Sequence, residues 1–153
     1  MMPIQQVFAN QVLIAALIAW SIAQVVKIPL EYFRTHKWNW ALLFRAGGMP
    51  SSHSALMAGA THAIGLYAGF NSPVFALGFV VSMIVIYDAT GIRRQAGKHA
   101  EIINQMITDL TTGHPLKEET LREVLGHTPL QAFMGTLLGI TCAQITWWLW
   151  PLA

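Results

Sequence analysis

The chain has 153 residues, 54% of them hydrophobic and only 10% charged, with a formal net charge of +2 and a mean hydropathy of +0.48. A soluble domain carries about 25% charged residues, so the composition excludes an ordinary water-soluble fold and points to a membrane as the solvent. The small charge and the lack of any basic run exclude a nucleic-acid binder, the lone Cys142 excludes an intrachain disulfide, and one domain is expected over 1–153.

Residues 1–10 carry no basic n-region, so no cleavable signal peptide is expected. A bilayer core needs about 20 apolar residues per helix, and four stretches are read as spans: Phe8 to Val26, the short Ser54 to Phe70, Pro73 to Ile92 with Asp88 near its end, and Pro129 to Leu152. The expected fold is all-α, a polytopic membrane protein of four transmembrane helices plus short amphipathic helices. Lys27 ends the first span in this reading. Tyr32, Phe33, Trp38 and Trp40 mark one membrane interface, and Trp147, Trp148 and Trp150 the other. Ser51, Ala55, Gly59 and Ala63, spaced by four, form a small-residue stripe that lets another helix come close. His62, in mid-span, is expected to hydrogen-bond another helix. Asn71-Ser72 make a tight uncharged turn. Within 98–110, Ile102, Ile103, Met106, Ile107 and Leu110 recur at helical spacing among polar residues, as in an amphipathic surface helix. Thr120 and Glu123 read as a capping box, and Gly126-His127-Thr128-Pro129 as a helix stop followed by a new helix start.

All nine Lys and Arg residues fall in segments 27–53 and 93–128: Lys27, Arg34, Lys37, Arg45, Arg93, Arg94, Lys98, Lys117 and Arg122. Four spans place both segments on one side. The positive-inside rule makes that side cytoplasmic, in a bacterial-type plasma membrane. The six histidines show no metal-ligand spacing, so no metal is expected.

The same side gathers a chemical constellation. Pro50-Ser51-Ser52-His53-Ser54 opens the second span, Asp88, Arg93 and Arg94 lie at the exit of the third, and His127 sits at the mouth of the fourth. A helix N-terminus offers unpaired N–H groups and partial positive charge, which suit phosphate. Two imidazoles beside several cations supply what phosphoryl transfer through a covalent intermediate needs: a nucleophile, an acid for the leaving group and donors for the equatorial oxygens.

Three blocks in this order, Gly47-Gly48-Met49-Pro50-Ser51-Ser52-His53-Ser54, Tyr87-Asp88-Ala89-Thr90-Gly91-Ile92-Arg93-Arg94-Gln95-Ala96-Gly97 and Leu125-Gly126-His127-Thr128-Pro129, resemble the divergent branch of the type-2 phosphatidic acid phosphatases, relatives of the vanadium-dependent haloperoxidases. The superfamily carries the motifs K-x6-R-P, P-S-G-H and S-R-x5-H-x3-D. The resemblance implies that His127 is the nucleophile, that His53 protonates the leaving oxygen, and that Ser51 and Ser52 with nearby N–H groups hold phosphate. It maps the first motif onto Lys27 and Arg34, with Thr35 in place of proline, and the third onto Arg122 and His127, with one residue fewer between them. Gln131 stands where the superfamily has Asp, so Asp88 is expected to supply the missing charge, and Arg93 and Arg94 to act as the phosphate clamp. The implied activity is hydrolysis of a lipid or polyprenyl phosphate monoester or pyrophosphate, without metal or organic cofactor. A non-catalytic binder or transporter of phosphorylated lipid is the alternative. Four spans are fewer than the superfamily's usual six helices, which leaves room for a homodimer that completes the pocket.

Overall fold

The structure, a computed structural model, describes residues 3–43, 47–111 and 126–151. The elements are α1 (Pro3–Phe8), α2 (Gln11–Thr35), a 3-10 turn (Trp40–Leu43), α3 (Ser52–Ala68), α4 (Pro73–Thr90), α5 (Ile92–Thr111) and α6 (Pro129–Leu149), with no strand among the described residues. The boundaries have local causes. Asn10, Ser51, Ser72 and Thr128 each cap the helix that follows, their side-chain oxygens accepting from the N–H groups of Leu13, Ser54, Phe75 and Gln131. Pro73 and Pro129 occupy the first turns of α4 and α6, where a missing N–H costs nothing. His36 closes α2 at φ 54° and donates its N–H to the Tyr32 carbonyl at 2.8 Å.

Two layers of contacts fix the helix directions. At one end the Ser51 N–H donates to the Gln131 carbonyl at 2.9 Å, and the His127 N–H donates to the Ala89 carbonyl at 2.8 Å. At the other end the Gln11 side chain and the Tyr67 hydroxyl both donate to the Trp150 carbonyl, at 3.3 and 2.9 Å. Helices α3 and α6 therefore run parallel, and α2 and α4 run antiparallel to them.

The protein is built inside out. Apart from Ile28 and Cys142, every buried hydrophobic side chain among the described residues is alanine, while Leu77, Phe79, Ile84, Phe133 and Trp148 are exposed. In lipid there is no hydrophobic force between helices, so they associate through close backbone packing and interhelical hydrogen bonds. The expected small-residue stripe does this. Ala55 packs with Ala19, Ala23 and Cys142, and Ala63 packs with Ala15 and Ala143. A Cβ built on Gly135 would lie 2.2 Å from the Ser51 carbonyl oxygen, and one on Gly139 would lie 2.3 Å from that of Ala55. Only glycine fits at these two crossings. Polar pairs add specificity: Thr61 and Ser82 hydroxyls meet at 2.7 Å, and His62 bonds Gln144 at 3.1 Å, the interhelical partner its mid-span position calls for.

Three expectations need correction. Among the described residues three helical stretches, one fewer than expected, are long and apolar enough to cross a membrane: Gln11–Thr35, Pro73–Thr108 and Pro129–Leu149. Helix α3 has 17 residues, about 26 Å at 1.5 Å per residue against a core of about 30 Å, and Ser, Thr, His and Gly dilute its apolarity. It lies in the middle of the bundle, on α2, α4 and α6. Second, α2 does not end at Lys27 but runs on through Pro29 to Thr35, because the Lys27 ammonium finds partners inside the bundle. Third, the amphipathic helix opens at Ile92 rather than 98. Tyr32, Trp38 and Trp40 do group together, with Tyr32 stacked on Trp38 at 4.5 Å and Trp38 on Trp40 at 5.8 Å. The capping box at Thr120 and Glu123, and the cations Arg45 and Lys117, lie outside the described residues.

Gly139→Ala should force α6 away from α3, because the intruding methyl meets backbone that cannot rotate aside. The expected cost is about 1–3 kcal/mol, read as a lowered unfolding temperature in detergent. Gly78→Ala, whose Cβ would first meet the Thr61 side chain at 3.3 Å, should cost distinctly less; equal losses would contradict this account of the crossing.

Candidate active site

Parallel α3 and α6 bring two helix N-termini to the same end of the bundle, so their partial positive charges add over one small region. His53 lies in the first turn of α3 and His127 just before the Thr128 cap of α6. Their ring centroids are 6.2 Å apart. His53 is half-buried and His127 is 4% exposed.

His127 is held from two directions. Its backbone N–H is fixed by the Ala89 carbonyl, and its Nδ1 lies 3.3 Å from Gln131 Oε1. Gln131 Oε1 also accepts the Thr128 N–H at 3.0 Å, while the Thr128 hydroxyl accepts the Gln131 N–H, completing a capping box. The bond from Thr128 identifies that amide atom as the oxygen. An amide oxygen can only accept, so a hydrogen bond at this contact is donated by Nδ1–H of the ring.

Lys27 is 1% exposed. A buried ammonium is costly unless hydrogen-bonded, and it donates to Gln24 Oε1 and, at 3.2 Å, to the Ser52 hydroxyl. Gln24 is itself anchored, donating to the Leu43 carbonyl at 3.1 Å. A cavity of about 200 Å³ opens beside this lysine, lined by Lys27, Glu31 and Arg34 from one face of α2, by Gly48 and Met49 from the loop before α3, and by Gln131. Gly47 and Gly48 adopt φ of 104° and 78°, which favour glycine and shape that loop.

The expected residues thus fall into groups. Lys27, Ser51, Ser52, His53, His127 and Gln131 share one end of the bundle and are joined by the contacts above. Ser51 is fully enclosed. Its hydroxyl oxygen accepts from the Ser54 N–H at 3.3 Å and from the Ser54 hydroxyl at 3.1 Å, so its side chain acts as the helix cap. Asp88 is half-buried and immediately precedes the Ala89 carbonyl that holds His127. Arg94 is exposed on the first turn of α5. The Arg93 side chain and all of Arg122 lie outside the described residues. Sequence reasoning missed Gln24 and Glu31, and it reached Arg34 only through the first motif. The signal was present, since positions 24, 27, 31 and 34 follow the three-and-four spacing of a single helix face.

Residues 8–142 match the Divergent PAP2 family. The chain belongs to that family. It is 35% identical over 146 residues to "Uncharacterized membrane protein YuiD" of Bacillus subtilis (strain 168), a match covering 88% of this chain and 92% of that protein. No solved structure matches it. That relative is described as a membrane protein, and the exposed large apolar side chains and the three long apolar helices among the described residues of this Divergent PAP2 protein fit integration into a membrane. The family match covers the two histidines, Lys27 and Gln131.

Gln131→Ala removes both the acceptor for the Thr128 N–H and the partner of His127. The expected loss is about 1 kcal/mol of stability, the usual worth of a cap, together with a shift of the His127 imidazole resonances. Unchanged imidazole signals in the variant would show that Gln131 does not orient the ring.

Proposed function

We propose that this protein hydrolyses a phosphate monoester or pyrophosphate of a membrane lipid through a phospho-histidine intermediate. The observation that carries this reading is the pair of imidazoles, His53 and His127, 6.2 Å apart at two parallel helix N-termini. Family membership supports the reaction class. In this reading the Nε2 lone pair of His127 attacks phosphorus, and a P–N bond forms as the bond to the leaving oxygen breaks. His53 donates a proton to that oxygen. Water then attacks phosphorus and gives up a proton to His53, the P–N bond to His127 breaks, and inorganic phosphate leaves. Lys27, Ser52 and the N–H groups opening α3 and α6 neutralise the equatorial oxygens. Arg34, which lines the cavity with Lys27, is better placed for a bidentate clamp than Arg94. Gln131 sets the His127 tautomer as a carboxylate would, without lending the imidazolium a charge. Asp88 is the nearest acid in sequence to the Ala89 anchor and supplies that charge in this reading. No metal or organic cofactor takes part.

Gln131 in place of an acid also favours the competing reading, a protein that binds phosphorylated lipid without turning it over. Purified protein given phosphatidate or a polyprenyl phosphate separates the two. Release of inorganic phosphate should fall by at least about 10²-fold in His127→Ala and His53→Ala, the usual scale for a nucleophile or general acid. Labelled phosphate should be trapped on wild type as an acid-labile, alkali-stable adduct. Vanadate, which mimics the trigonal-bipyramidal transition state, should inhibit and raise the unfolding temperature. Binding with no release and no adduct would refute hydrolysis.

The site end also carries Arg34, Lys37, Arg94 and Lys98. We infer from the positive-inside rule that it faces the cytoplasm of a bacterial-type plasma membrane. Thr35→Cys, at the exposed end of α2, should then react with an impermeant maleimide in inverted vesicles and not in intact cells. The opposite labelling pattern would reverse the topology.

A further inference from the structure

A second cavity, of about 230 Å³, lies deeper in the bundle, between α4 and α6 and over α3. These two outer helices touch only lightly, so the gap between them is floored by α3. Its α4 wall is a single helix face: Phe75, Phe79, Met83 and Ile86. Ala58 contributes from α3 and Ile140 from α6. The polar side chains in its walls are already satisfied. Thr61 bonds Ser82, His62 bonds Gln144, and the Thr136 hydroxyl donates to the Ala132 carbonyl at 3.0 Å. What remains for an occupant is apolar surface at membrane depth.

The near end of the groove lies about one to one and a half helical turns from the imidazole layer. Ile86 lies one helical turn before Ala89, whose carbonyl holds His127, and Ala58 lies five residues, about 7.5 Å of rise, beyond His53. From Ile86 to Phe75 the groove extends about 16 Å. Its far end is closed by an aromatic cluster. Phe70 meets Phe75 edge-on at 5.1 Å and His62 at 5.7 Å. The Phe70 ring folds back over Gly65, where a Cβ would fall 2.3 Å from Phe70 Cε1. Glycine at that position is what lets the ring turn inward.

We propose that this groove takes the hydrocarbon chain of the phosphorylated lipid and that Phe70 is its length stop. The proposal rests on the lipid-phosphate reading of the site above and adds a specificity-determining residue to it. A chain anchored by its phosphate near His127 runs down the α4 face and ends against the Phe70 ring. A longer chain must leave sideways between α4 and α6 and loses contact with the walls.

The test uses the full chain in nanodiscs with n-alkyl phosphates graded in length at a fixed mole fraction, read by the shift in unfolding temperature. Wild type should show a maximum at intermediate length. Phe70→Ala should move that maximum to longer chains, and so should Gly65→Ala, which displaces the same ring from the other side. Phe70→Leu, a milder change that keeps an apolar side chain, should move it in the same direction by less. A wild-type profile without a maximum, or a maximum that stays put in all three folded variants, would overturn the length stop. Phosphate release is measured on the same samples. A moving maximum without release keeps the groove and removes the hydrolytic reading; release that ignores chain length keeps hydrolysis and removes the groove.

Discussion

The crossing of α3 and α6 is the constraint on which the rest depends. Gly135 and Gly139 let the backbone of α6 touch the carbonyls of Ser51 and Ala55, with no side chain between. Such contact is how helices hold together in lipid, where burying a leucine gains nothing over leaving it among acyl chains. It also has a chemical consequence. Two parallel helices that touch this closely must begin side by side, and their N-termini carry partial charge of the same sign. Like poles side by side are unfavourable unless something negative lies between or beyond them. The packing that stabilises the bundle therefore creates the local demand for an anion that the proposed chemistry meets.

Two of the polar groups near this end have amide partners. Lys27 donates to Gln24 and Ser52, and His127 leans on Gln131. A buried ion pair would neutralise Lys27 and reduce its attraction for a phosphoryl oxygen. An amide satisfies its hydrogen-bonding need and leaves the charge intact. The same logic applies to the imidazole. Gln131 bonds the ring at Nδ1, and because its oxygen is also the acceptor for the Thr128 N–H, ring position and helix capping share one amide. Family membership and this arrangement are compatible with either turnover or tight anion binding; the difference lies in whether charge develops on His127.

Much of this was legible in the sequence. The cap at Thr128, Pro129 in the first turn of α6, the small-residue stripe of α3 and the need of His62 for a partner all follow from local rules, and each holds in the structure. The positions of Lys27 and the end of α2 did not. Hydropathy treats a lysine as a boundary, whereas Gln24 three residues earlier and Ser52 across the interface make it an interior residue. Hydropathy also weighs α3 by its apolar content, although a helix surrounded by other helices needs small residues more than large ones. The role of Ser51 shows a further limit. A serine at a helix mouth is equally suited to capping or to holding phosphate, and here the Ser51 oxygen accepts two bonds from Ser54 while its O–H remains a donor.

Helix α4 is the exception to the tight packing, and its looseness has a physical reason. Only Ser82 and Ala89 are buried along it. It holds to α3 through the Thr61–Ser82 pair and the contact at Gly78, and to α6 through the Ala89 carbonyl at the site end. Large residues such as Phe79 and Met83 keep it from closing onto α6, as alanines would allow. Where α3 meets α6, glycine and alanine exclude everything between the helices; where α4 faces α6, bulky side chains hold open a gap lined with hydrocarbon. One sequence thus encodes two kinds of helix interface by side-chain size alone, the first setting the position of the imidazoles and the second leaving space beside them for an apolar chain.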